Sequence, residues 1–257
     1  MRDTAETRAH AESCPNCRGF CRSLVISGPP RPRSMAEMVS DAVAYPLRGP
    51  GIGLIVLGAG FFVFIDMLSR SWRYGLFFSI FGAGYLGAYM LEIVNGGANG
   101  KKEPQGWPEF TNVWDSVTIP FFQMAVTWGV CIAPAALPFL LSGITPGSVF
   151  AASAIVLVTS LYLPMAILAL ALNNSVAAIS PAVVLPAILA VRWQYLAVWG
   201  LLAAGGTLSA LFQVHVAAAI PILGFAANAL VSLYLLSVEM RLLGLLYLAN
   251  SERLKLI

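Results

Sequence analysis

The stretch GIGLIVLGAGFFVFIDML, residues 51–68, decides the fold. Its single charged residue is Asp66, near the end, and every other position is apolar or glycine. A helix rises about 1.5 Å per residue and a hydrocarbon core is about 30 Å thick, so roughly 20 such residues cross a bilayer. Working outward, five more stretches have the same character: Tyr74–Val94, Pro120–Leu141, Val149–Leu172, Tyr195–Gln213 and Ala217–Met240. Several contain glycine and proline, which membrane helices tolerate when neighbours satisfy the freed backbone groups. Ser180–Val191 (SPAVVLPAILAV) is also apolar, but it is short and carries Pro181 and Pro186, so it reads as an interfacial or re-entrant segment. The expected fold is an all-α, polytopic bundle of six spans with interfacial amphipathic helices; five or seven spans are the alternatives.

The composition agrees. Of 257 residues, 58% are hydrophobic and 11% charged, against roughly 25% charged in soluble domains. Twelve of the 27 charged residues fall in the first fifty positions. A net charge of +3 is too small to suggest nucleic-acid binding. Residues 1–34 form a polar tail without the apolar core of a secretory signal, so the first span is expected to act as an uncleaved signal anchor. Residues 35–257 form the transmembrane domain.

Lysine and arginine in short loops set orientation. With the N-terminus inside, the cytoplasmic side receives Arg48, Lys101, Lys102, Arg192, Arg241, Arg253 and Lys255, and the outside receives Arg70 and Arg73. Both termini are expected in the cytoplasm of a bacterial cell, with the chain in its inner membrane. Outer loops are short turns; the inner loops 95–119 and 173–194 are longer and more polar.

The first inner loop reads NGGANGKKEPQGWPEFTNVWDSVTI. Phe110, Val113, Trp114 and Val117 recur at helical spacing, which suggests a short amphipathic helix on the membrane surface. Trp107, Phe110, Trp114 and Asp115, with Arg48, Lys101 and Lys102, are the candidate interfacial residues, read either as an aromatic-belt anchor or as a docking or gating element. Small-residue clusters at Gly82, Gly84 and Gly87, and at Ala203–Gly206, suit close helix packing or a homodimer face.

Ionisable residues inside spans are costly and are functional candidates. Asp66 can pair with Arg70, and Glu239 sits near Arg241, so both read as interfacial ion pairs. Glu92 lacks a basic residue in its own helix and is the candidate for ion coupling, against a structural role. Deeper polar groups are few: Gln123, Thr159 and Asn228. In the tail, Cys14, Cys17 and Cys21 with His10 are ligand types suited to zinc. The usual second CxxC is absent, so an accidental cluster is the competing reading, and no other cofactor is indicated. Neither GxxxxGK[ST], HExxH nor GxSxG occurs, so no catalytic residue is assigned.

Three stretches carry a resemblance: Ala44-Tyr45-Pro46-Leu47-Arg48-Gly49, the segment GWPEFTNVWD at 106–115, and the ending MRLLGLLYLANSERLKLI at 240–257. They resemble a family of prokaryotic multi-pass membrane proteins, the domain-of-unknown-function class numbered 4013, similar in layout to Yip1-like proteins. The resemblance covers about 35–257 and implies architecture, with membrane organisation as the expected role and no catalytic residues. The residues themselves place Tyr45 and a snorkelling Arg48 at the cytoplasmic interface. They also predict that Met240–Ile257 extends the sixth helix and then lies along the inner leaflet. The expected function is a non-catalytic organiser, scaffold or accessory subunit, touching the lipid bilayer and other membrane subunits or copies of itself. The alternative is a small-molecule or ion transporter with a proline-broken helix site; an enzyme acting on lipids ranks third.

The charge bias makes a direct prediction about sidedness. In a cysteine-depleted background, a cysteine at Ile144 is expected to react with a membrane-impermeant maleimide on intact cells. One at Lys101 is expected to react only after permeabilisation, and the opposite pattern would invert the topology.

Overall fold

The structure, a computed structural model, describes residues 34–70, 73–108, 114–217 and 221–254. Ser34 caps the first helix, α1 (Met35–Ala44), in a reciprocal box: its hydroxyl accepts from the Glu37 amide, and the Glu37 carboxylate accepts from the Ser34 amide at 2.9 Å. A tight turn at Tyr45–Leu47 follows, and Gly49, at φ +47°, takes the left-handed conformation that lets the chain enter α2 (Gly51–Ser69).

Then come α3 (Gly75–Ala98), α4 (Ile119–Ile132), α5 (Leu137–Ser142), α6 (Pro146–Asn173), α7 (Pro181–Ala190), α8 (Arg192–Phe212) and α9 (Pro221–Asn250). Among the described residues, six segments are long and apolar enough to span a membrane: α2, α3, α4 with α5, α6, α8 and α9. The expected all-α bundle of six spans is what the chain forms. The third span is broken by a tight turn at Ala133–Ala136, and Pro134 and Pro138 each sit at the start of a helical piece, where a missing N–H costs least. The apolar segment at Ser180–Val191 becomes α7, ten residues and about 15 Å long, too short to cross.

The spans bury one end each, and it is the same end. The half carrying α1 and the loops after α3 and α6 is called proximal here, and the opposite half distal. Pro164–Ala171 of α6, Ile93 and Val94 of α3, Tyr195 and Val198 of α8, and Leu242–Leu246 of α9 supply the buried proximal core. Distally, Leu76, Phe77, Leu140, Leu141, Ile144 and Phe150 are exposed. That much bare apolar surface suits hydrocarbon as solvent and suits water poorly.

The last helix runs past Met240 to Asn250, as the expected extension of the sixth span, but its added turns are not set against a leaflet. At about 45 Å, α9 outruns the hydrocarbon by roughly 15 Å. Its final turns do not lie along a leaflet, for Leu242, Leu243, Leu245 and Leu246 are all buried in protein. A surface helix needs one polar face, and these leucines cover most of the circumference. The ends of α1, α3 and α6 surround them. Closest approach is at Gly97 and Gly244, where a Cβ on Gly97 would stand 2.9 Å from the Gly244 Cα. The glycine cluster of α3 behaves as expected, since Gly82 faces Ile65, Gly84 faces Val117 and Phe121, and Gly87 faces Met124.

Pro164 lies inside α6 and cannot donate to the Ser160 carbonyl four residues back. The Trp199 indole of α8 takes that place, donating to Ser160 O at 3.1 Å. Beside it, the Tyr195 hydroxyl donates to the Leu161 carbonyl and the Tyr162 hydroxyl to the Ile179 carbonyl. A break in one helix therefore fixes the seat of the next. Trp199→Phe should cost about 1–3 kcal/mol by leaving a part-buried carbonyl without its donor. Adding Pro164→Ala should recover part of that loss in a double-mutant cycle of thermal stability in detergent, because the restored amide can bond Ser160 O itself. Additive losses would contradict the assignment.

Candidate functional site: an interfacial ion cluster and a tucked loop

The polar groups of the proximal side converge on Asp41. From α1, its carboxylate accepts from Arg48 Nη1 at 2.5 Å and from Arg241 Nη2 of α9 at 3.0 Å, with Arg241 Nε at 3.3 Å. Arg241 is 1% exposed. A guanidinium that deep needs a counter-charge, because an uncompensated buried ion costs several kcal/mol. The Tyr45 ring covers it, with Arg241 Cζ 4.6 Å from the ring centroid, close enough for cation–π attraction. Arg241 Nη1 has no hydrogen-bond partner among the described residues.

Burial on its own would raise the Asp41 pKa; the hydrogen bond from Arg48, then that from Arg241, outweigh it and hold the carboxyl below its ordinary value. Burial pushes the Tyr45 hydroxyl up, so it stays a neutral phenol. That hydroxyl accepts from the Gln105 amide at 2.9 Å, and Gln105 Oε1 accepts from Lys101 Nζ at 3.0 Å. One chain of contacts thus runs from Lys101 through Gln105, Tyr45, Arg241 and Asp41 to Arg48.

The same loop sends Trp107 inward. Its indole donates to the Leu54 carbonyl in the first turn of α2 at 3.0 Å. Its ring stacks on Tyr89 at 3.8 Å and on Tyr85 at 5.5 Å, while the Tyr85 hydroxyl bonds the Pro108 carbonyl. Gly58 makes the space, since a Cβ there would collide with the indole. The sequence reads Trp107 either as an aromatic-belt anchor or as a docking or gating element; in the structure the indole plugs the seam between α2 and α3. Spacing of aromatics cannot separate these outcomes, but a glycine at the matching depth of the facing helix is the signal that could have.

The other sequence-derived candidates fall as follows. Lys102 is exposed, and Trp114 and Asp115 belong to a single wide turn, Trp114–Thr118, leading into α4. Val117 in that turn is buried against α3 and does not lie on a lipid-facing stripe. Phe110, the rest of the expected surface helix at 109–113, and the zinc candidates His10, Cys14, Cys17 and Cys21 lie outside the described residues. Tyr45, expected at the interface, is buried, and Arg48 is tied to Asp41 and does not snorkel freely. Asp66 pairs with Arg70 at 2.9 Å, as read from the sequence.

Glu239 does not pair with Arg241. Residues two apart on a helix point to different sides, so Arg241 turns to α1 while Glu239 abuts Gly205 of α8, where a Cβ would approach its carboxyl. Glu92 is exposed on α3. It precedes Gly97 by five residues, as Glu239 precedes Gly244, and α3 and α9 run parallel through that glycine contact. Glu92 and Glu239 therefore hold matching register positions on the two helices.

This arrangement defines a multi-pass integral membrane protein whose polar chemistry is gathered at one interface. No family model, no curated protein and no solved structure matches the chain. The resemblance noted above therefore rests on its three stretches alone.

Asp41→Asn leaves Arg241 buried without a counter-charge and should cost about 3–5 kcal/mol of stability, read as a lowered melting temperature in detergent. A depressed folded pKa means Asp41 stabilises above the ordinary carboxylate value of about 3.9 and stops as pH falls through the lower folded value. The wild type should therefore lose stability in strong acid, and the gap to Asp41→Asn should close there. A gap that does not change with pH would count against the ion pair.

Proposed function

We propose that the protein is a non-catalytic membrane organiser or accessory subunit that works through lateral contacts of its spans. The observation that carries this is the uneven burial of the spans: α8 with its extension to His215 is 11% buried and Ile119–Ser142 is 22% buried, against 56% for α3. Each of these spans packs along one side only, Ile119–Ser142 on α3 and α6 and α8 on α9, and leaves apolar faces free for other spans. On α8, a Cβ at Gly200 or Gly206 would meet nothing within 4 Å, so a partner helix can come close to the backbone there. The solid proximal core, with Met165–Leu170 almost wholly buried, suits a fixed frame better than a moving gate. Bacterial inner-membrane placement, with the proximal side in the cytoplasm, belongs to this reading and rests on the lysine and arginine bias.

Transport is the second reading, favoured by the matching register positions of Glu92 and Glu239 and by the polar contact of Ser209 with Ser232 between α8 and α9. One pair of experiments separates the two. Cysteines at Gly200 and Gly206 are expected to cross-link in native membranes to a second polypeptide or a second copy. Proteoliposomes of the wild type are expected to show no solute or ion flux that depends on Glu92 or Glu239. Absence of any cross-link, together with a flux lost in Glu92→Gln or Glu239→Gln, would replace the organiser with a transporter.

A further inference from the structure

A wedge opens between α2 and α8, floored by α9. Ile52 and Val56 form one wall, Leu208 the other, Val231 and Tyr234 the floor, and Leu47 closes the proximal end. Its volume is about 460 Å³, inside the roughly 300–1,000 Å³ range of small-molecule sites. The lining is apolar throughout. The Tyr234 hydroxyl is turned away and donates to the Val43 carbonyl at the end of α1. Exposed Val56 and Leu208 place the opening within the hydrocarbon-facing surface.

Arg48 follows Leu47 in the chain, with a side chain 38% exposed. Among the described residues Asp41 offers one negative charge to two guanidiniums, those of Arg48 and Arg241, so these three side chains carry one net positive charge. Glu239, on the same helix as the floor, directs its carboxyl toward Gly205 on α8. An apolar slot whose lining residue Leu47 is followed in the chain by a partly exposed arginine has the outline of a lipid, tail inside and phosphate within reach of that side chain.

We propose that this groove holds one acyl chain of a glycerophospholipid whose phosphodiester meets Arg48. The assignment goes beyond the organiser reading and does not depend on it. Its physical logic sets the test. Surrounding lipid tails are as apolar as the groove, so the tail gains nothing hydrophobic by entering it. Residence longer than that of bulk lipid must come from the phosphate, which a guanidinium can bind with two parallel hydrogen bonds. The headgroup should therefore decide occupancy.

Protein purified in detergent and stripped of lipid is titrated with phosphatidylglycerol, phosphatidylethanolamine or diacylglycerol, and the melting temperature is followed. A ligand that binds only the folded state raises it. The two phospholipids are expected to raise it by several degrees and diacylglycerol, which lacks the phosphate, by much less. Val56→Trp/Leu208→Trp, which fills the groove, is expected to lose the phospholipid shift, and its melting temperature without lipid reports whether it has folded. Arg48→Gln is expected to erase the difference between phospholipid and diacylglycerol, which a purely structural role for Arg48 would leave intact. In parallel, a photo-reactive phenylalanine at Val56 in native membranes is expected to gain a mass equal to a phospholipid. An equal shift in the filled-groove protein, equal shifts for all three lipids, or a Val56 adduct that is a polypeptide would each overturn the proposal.

Discussion

A buried guanidinium must be neutralised, and the proximal end of this protein is arranged around Arg241 to achieve that. Its counter-ion comes from α1, which crosses no membrane and is drawn onto α9 by the ion pair. The same carboxylate holds Arg48 and so fixes the corner through which the chain enters α2. The aromatic cover over Arg241 is Tyr45, whose hydroxyl in turn positions the loop that sends Trp107 between α2 and α3. Removal of the charge at Asp41 would therefore be felt in α1, in α9, at the corner into α2 and in the loop that carries Trp107.

Packing follows from the solvent at each depth. Where spans meet hydrocarbon, tails and side chains are equally apolar, and nothing pulls helices together except close fit and polar bonds. Close fit is supplied where glycine occurs, as at Gly58, Gly84, Gly97 and Gly244. Polar bonds are supplied where backbone groups are freed, as at Ser160 opposite Trp199. Both devices also reach outward, as at Gly82 against Ile65 and at Ser209 against Ser232, but the deepest burial is proximal. The outcome is a firm end and a loosely partnered end within one bundle.

The six spans were legible in the sequence because a 30 Å apolar slab imposes length and composition on each one separately. The Asp66–Arg70 pair was legible because both partners sit one turn apart on one helix. Arg241 was misplaced because its partner is 200 residues away, and local spacing carries no trace of such a pair. The orientation of Trp107 failed for a related reason: an indole at an interface satisfies its N–H equally well from water or from a backbone carbonyl, and only the opposing Gly58 decides. The extension of α9 past Met240 is legible in its unbroken leucine-rich run, but its burial is not, because the leucines occupy too many faces for one side to meet water.

The separation of Asp41 from Arg241 along the chain also dictates an order of assembly. During synthesis α1 emerges before α9, and its carboxylate waits for Arg241 until the final span has been made and threaded. Only then can the tie between the two ends of the domain form, and with it the shelter for the tyrosine and the loop beneath. A polypeptide stalled before its last helix would carry an untethered amphipathic segment and an unseated indole. Those are features that membrane quality-control proteases can recognise, so completion of the chain and closure of the fold become one event.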